Sequence, residues 1–373
     1  EEHPTRTPPT AATGLSMAAR SASAPAGARQ RGIRIADTVV RPGQRGTANL
    51  RVASLYTSAP VDLPVIVLRG AAPGPTMFVS AALHGDEIIG VEIIRRVLRQ
   101  TDPADLRGTL LAVPIVNTLA FIHQSRYLPD RRDLNRSFPG SQGGSLAARL
   151  AHLFVTEVVG RSDFGVDLHT GAIHRPNLPQ IRTDLRNTTN QRLAKAFGAP
   201  LFLDSRPAAG TLREYTTRQN IPVILYESGE ALRFDETAIR IGAQGVHNVM
   251  WEMAMLPRPE SSPLRVPEPI LAHSSHWVRA PSSGILRTGV GLGDHVLGGQ
   301  SLGVIGDPYG ANETEVRADR EGVVIGRLNL PLVHEGDALF HVGTFDAPAE
   351  AAQAVEQMEA EMRTWSGAEP PLV

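Results

Sequence analysis

Apolar and polar positions divide the chain into three regimes. Between Ile33 and Gly70, short β-type runs such as "ANLRVASLY" and "LPVIVLRG" are broken by proline and glycine. From Pro75 onward, apolar runs bounded by turn residues ("PTMFVSAALHG", "GTLLAVPIVN", "FGVDLH", "PLFLD", "PVILYESG") alternate with stretches of helical period ("DEIIGVEIIRRVLRQ", "SLAARLAHLFVTEVV", "LAKAFGA"). This alternation predicts an α/β domain with helices on both faces of a sheet and active groups at strand C-terminal ends. The proline-dense "LPRPESSPLRVPEPI" from Leu256 to Ile270 reads as a linker, and beyond it the helical periods vanish.

Residues from about His273 to Val342 are Gly-rich β segments with an internal echo. "APSSGILRTGVGLGDHVLGGQSLGVI" resembles "RADREGVVIGRLNLPLVHEGDALFHV", each with a Gly-Asp turn before its last strand. A small all-β, barrel-like domain built from two related halves is expected. The closing "PAEAAQAVEQMEAEMRTW" predicts a surface helix. The expected boundaries are a disordered tail over 1–32, an α/β domain over 33–257, the β domain over 258–345, and a helix with its tail over 346–373. The tail is rich in Pro, Ala, Ser and Thr and has no apolar periodicity.

Composition narrows the chemistry. A 42% apolar and 20% charged chain of 373 residues has material for a large core, and a net charge of −1 gives no reason to expect nucleic acid or an anionic membrane. No run of about 18 apolar residues predicts a membrane span, and no secretory hydrophobic region is present. With no cysteine, any metal must be held by His, Asp or Glu, and a cytoplasmic location is the expectation. The β tail resembles lipoyl and biotinyl carrier domains in its Gly-Asp rhythm, but Lys195 is the only lysine, which excludes a swinging-arm carrier there.

"VSAALHGDEIIGVEII", Val79 to Ile94, sets His84 and Glu87 at a strand-to-helix junction. There the two side chains can converge on one point, and their ligand types suit Zn²⁺. The competing account has Asp86 or Glu87 serving the helix N-terminus electrostatically. "FGVDLHTG" supplies the third ligand a catalytic zinc site needs, His169, again at a strand end. Asp167 shares its face, either orienting a ligand or accepting backbone N–H bonds. Glu227 in "PVILYESGE" ends another apolar run, and its burial cost calls for a partner or a function; a general base is the fitting one. In "HQSRYLPDRRDLNRSFPG", Arg126, Arg131, Arg132 and Arg136 crowd a loop where guanidinium groups suit a carboxylate or an oxyanion.

Taken in order, "HGDE", "SRY…RDLNRSFPG", "DLHTG" and "YESGE" resemble the succinylglutamate desuccinylase/aspartoacylase family. That likeness implies a zinc carboxypeptidase-like fold: a mixed sheet with helices on both faces, followed by a small β domain. It implies one Zn²⁺ per chain on His84, Glu87 and His169, with Glu227 as catalytic base and acid. Asn135 and Arg136 correspond to the pair that holds the substrate carboxylate. Arg126 corresponds to the arginine that polarises the scissile carbonyl, with Arg132 as the alternative.

The function so implied is hydrolytic removal of an N-acyl group, acetyl, succinyl or similar, from an amino acid or related small amine. A metallocarboxypeptidase acting on short peptides is the second reading, and a non-catalytic protein with a vestigial metal site the third. The partner expected is a small N-acylated amino acid, with homo-oligomerisation through exposed β edges of the tail as a further expectation.

Overall fold

A computed structural model describes residues 32–259 and 269–364. The N-terminal tail and most of the proline-dense linker lie outside the described residues. The main sheet runs in the order Gln44–Ser54, Pro60–Arg69, Arg107–Val113, Ala72–Ala81, Phe164–Gly171, Val223–Glu230, Asn177–Thr183. Its four central strands, from 107–113 to 223–230, are parallel, and the flanking pairs are antiparallel. This is the mixed sheet expected.

Alternation along the central strands fills two cores. In the 72–81 strand, Met77, Val79 and Ala81 face one side with helices Ile89–Gln100, Thr188–Phe197 and Glu236–Glu252. Phe78 faces the other, packing at 6.2 Å edge-on to Phe154 of helix Leu146–Glu157. Strands buried on both faces read as continuous apolar runs, which is why these segments stand out in the sequence. Helix Leu146–Glu157 starts where Ser145 accepts a hydrogen bond from the Ala148 N–H, satisfying one orphan donor of its first turn.

The strand Asn177–Thr183 is one that the apolar pattern does not mark, because Pro179 interrupts it. Proline is tolerated because pairing with the 223–230 strand shifts register between Glu227 and Gly229, opposite Gln180 and Asn177.

The C-terminal β region adds strands to the same sheet. Gly322–Arg327 meets the 177–183 strand at the pair Gly326 and Asn177, followed by Ala338–Thr344 and Ser274–Arg279. A second, four-stranded antiparallel sheet (Gly284–Arg287, Ser301–Gly306, Glu313–Arg317, Leu332–Val333) shares its core through Val278, Leu286, Leu302, Val324 and Phe340. The two Gly-Asp turns have one geometry. Asp294 accepts from the Gly291 N–H at 2.7 Å and Asp337 from the His334 N–H at 2.8 Å, and Gly293 and Gly336 both have φ near +85°. The closing helix, Pro348–Thr364, is not wholly a surface element: Ala351 and Val355 are buried against Val323 and Phe345.

Candidate active site

Three adjacent parallel strands, 72–81, 164–171 and 223–230, end side by side and deliver His84, His169 and Glu227 to one region. Past Ala81 the chain turns sharply. Ala82 sits at φ +50°, a left-handed conformation that costs on the order of 1 kcal/mol, held by the Asn117 N–H donating to its carbonyl. Gly85 follows because a Cβ there would collide with the Ala120–Phe121 backbone. Glu87 lies in this turn, its N–H bonded to the His84 carbonyl, two residues before helix Ile89–Gln100 begins. It therefore is not in the first helical turn, and the helix has no side-chain cap. The helix-terminus account of Glu87 falls with that, because its carboxylate faces the histidines.

Glu87 Oε1 is 2.6 Å from His84 Nδ1, and Oε2 is 2.7 Å from His169 Nδ1. The donor atoms of His84, Glu87 and His169 all lie within 4.8 Å of one another, and the three residues are buried. Each imidazole is oriented from its far nitrogen. His169 Nε2 is 2.8 Å from Asp167, whose other oxygen accepts from Ser80 Oγ, and His84 Nε2 is 3.2 Å from Asp133. Carboxylates behind both rings leave both Nδ1 atoms facing the carboxylate of Glu87, a donor set of the kind that binds Zn²⁺.

Electrostatics follow from this packing. Burial pushes the Glu87 carboxyl up, but His84 and His169 outweigh it and hold the group well below the usual carboxylate range. Burial likewise pushes Asp133 up, and His84 and Arg126 hold it low. Burial alone would lower both imidazoles, yet Glu87 with Asp133 raises His84, and Asp167 with Glu87 raises His169. Glu87 is thus held ionised between two imidazoles whose basicity it raises. Burying such charge costs on the order of several kcal/mol per ion, offset here by the two rings, Arg126 and the Thr170 N–H.

The cluster opens into a cavity of about 770 Å³. Arg126 lines it, donating to Glu87 at 3.3 Å and Asp133 at 3.1 Å. Arg132 does not line it: its side chain is 62% exposed and pairs with Asp130. Asn135 and Arg136 line the cavity from the short turn Leu134–Arg136, with Asn135 fixed through Oδ1 by the Leu212 N–H and Arg136 donating to the Asn135 carbonyl. Glu227 lines it too, its carboxylate bonded to Asn177 and, at 2.8 Å, to Arg182. His174 lies outside the lining. Glu230 accepts bonds from the His174 N–H and from Asn329 of the β region.

Residues that motif reading misses complete the wall. Arg182 and Asn177 come from the proline-interrupted strand, Arg213 from helix Leu212–Arg218, and Trp277 and Arg279 from the β region. Burial and neighbouring Arg182 lower Arg213 to about 10. Its Nη1 has no hydrogen-bond partner among the described residues. Trp277 stacks on His341 at 4.7 Å. "RPNLPQIRTD" carries two of these residues, but only the pairing of its strand beside Glu227 reveals their place.

Comparison with known proteins finds relatives in sequence and in fold. Residues 73–253 match the model of the succinylglutamate desuccinylase/aspartoacylase catalytic domain. The N-alpha-acetyl-L-2,4-diaminobutyric acid deacetylase of Halomonas elongata is 29% identical over 294 residues, 75% of this chain and 84% of that protein. The crystal structure of a succinylglutamate desuccinylase/aspartoacylase from Rhodobacter sphaeroides superposes with a TM-score of 0.72 at 27% identity, covering 81% of this chain and 95% of that one. The product-bound ectoine utilization protein EutE (DoeB) of Ruegeria pomeroyi gives 0.75 at 26% identity, covering 85% and 100%.

Proposed function

Over its catalytic domain the chain belongs to the succinylglutamate desuccinylase/aspartoacylase family, and from that premise we propose that it is a zinc-dependent amidohydrolase releasing an N-acyl group from an amino acid or related small amine. The observation that carries this reading is the convergence of His84 Nδ1, Glu87 and His169 Nδ1 beside Glu227 in one arginine-lined cavity. Those three residues would hold the metal. A bound zinc ion supplies Lewis acidity toward the acyl carbonyl and makes a water at the site easier to deprotonate.

The protein's own groups do the rest. Glu227 accepts the proton of the attacking water and passes it to the leaving nitrogen, which departs as a neutral amine while the acyl carbon gains oxygen. Arg126 donates to the carbonyl oxygen as negative charge develops there. Asn135 and Arg136 hold the carboxylate of the amino-acid part, Arg136 by charge-assisted hydrogen bonds. Trp277 and Arg279 bound the cavity from the β region, which favours small substrates over peptides. A cytoplasmic location belongs to the same reading.

A substrate panel tests it: N-acetyl and N-succinyl amino acids and diamino acids, including N-α-acetyl-2,4-diaminobutyrate, set beside short peptides, with zinc present and free amine as readout. Amine release from N-acylated amino acids and not from peptides is expected. Release from peptides alone makes the protein a carboxypeptidase.

A further inference from the structure

The carboxylate of Glu227 is held entirely from one strand. Among the described residues its hydrogen bonds come from Asn177 Nδ2 to Oε1 and from Arg182 Nη1 to Oε2. In a regular strand residues 177 and 182 face opposite sides. The register shift between Glu227 and Gly229 breaks that alternation, so both side chains reach one carboxylate. A bulge that re-aims a side chain is a device found beside active sites.

Asn177 is itself held from outside the catalytic domain. It pairs with Gly326 of the β region, and a Cβ at that position would run into Asn177 Oδ1. That oxygen is buried and has no hydrogen-bond partner among the described residues. Donation to Glu227 on one side and the bare Cα of Gly326 on the other therefore fix the amide. The amide cannot flip without turning Oδ1 onto the Glu227 carboxylate.

We propose that Asn177 and Arg182 are the positioning residues for Glu227, and that the C-terminal β region seats this clamp through Gly326. This rests on Glu227 being the base. A base that serves water first and the leaving nitrogen second must keep one orientation through both steps, and misplacement by about 1 Å can cost on the order of a hundredfold in rate. The guanidinium suits the task because it cannot take up the proton Glu227 carries.

The test uses the zinc-loaded full chain and a substrate it turns over. Asn177→Ala and Arg182→Met should each lower kcat by about 10- to 100-fold with KM changed less than about threefold, and Arg182→Lys should recover most of the loss. Gly326→Ala should lower kcat in the same way at wild-type zinc content and Tm. Combined with Asn177→Ala it should add nothing, because both act through one contact. A raised KM with kcat unchanged makes Arg182 a substrate-binding group and overturns the proposal. So do additive effects of Gly326→Ala and Asn177→Ala, or a Gly326→Ala variant as active as wild type. Glu227→Gln, assayed alongside, separates the two readings: if it stays active the base assignment itself fails, and if it is inactive while the clamp variants match wild type only the clamp fails.

Discussion

Glu227 and His169 are register partners on neighbouring parallel strands, so their side chains leave the same face of the sheet. The next strand over repeats the relation one step back, where Ser80 is register partner of Asp167 and donates to its carboxylate at 2.7 Å. The candidate base, a candidate ligand and the group orienting that ligand are thus spaced by a backbone ladder. Sites on such rigid elements hold their geometry better than sites on loops.

The ladder gives Asp167 a measurable role. Asp167→Asn keeps the shape of the side chain but weakens its hold on His169 Nε2, and should weaken zinc binding by about 10- to 100-fold. Competition against a chelator of known affinity reads this directly. His169→Ala should lose the metal and the activity together. Zinc affinity unchanged in Asp167→Asn would mean that Asp167 only satisfies Ser80 and the sheet.

The two arginines separated by the cavity wall should separate in kinetics. Arg126→Ala removes the group proposed to donate to the developing oxyanion and should lower kcat by about 10²- to 10³-fold. Arg132→Ala, with its exposed side chain, should stay within about twofold of wild type. Equal losses in the two variants would place the polarising group elsewhere.

How much of this is legible in the sequence depends on what each residue's neighbours are. His84, Glu87, His169 and Glu227 stand out because each interrupts or ends an apolar run, where a polar group is costly without a purpose. Asp133 does not, although it orients His84, because in "DRRDLNRS" it looks like one more charge in a loop. Arg182 and Asn177 are hidden by Pro179, and Trp277 and Arg279 by lying about fifty residues beyond Glu227 in a region whose pattern announces only β structure. Their part in the site comes from tertiary pairing, which local periodicity does not encode. The choice between Arg126 and Arg132 likewise waits on which way the loop turns.

A buried neutral histidine sets a pH dependence of stability. Burial lowers His247 to about 4. Its Nε2 lies 3.2 Å from Thr101 Oγ1. As pH falls through 6.5 the unfolded chain takes up a proton at this residue before the folded protein does. Stability is therefore full above 6.5 and declines toward pH 4, by at most about 1.4 kcal/mol per pH unit from this group. Denaturant unfolding of the zinc-loaded protein between pH 7 and 4.5 should show a shallower decline in His247→Gln than in wild type. Parallel curves would mean that His247 is not kept neutral by the fold.

The central claim is tested most directly by Glu227→Gln, with amine release from an N-acylated amino acid and zinc content measured on the same sample. About one zinc per chain, with turnover reduced by about 10²- to 10⁴-fold or more, is the expected result. Turnover near the wild-type rate with zinc bound would contradict the assignment of Glu227 as the base.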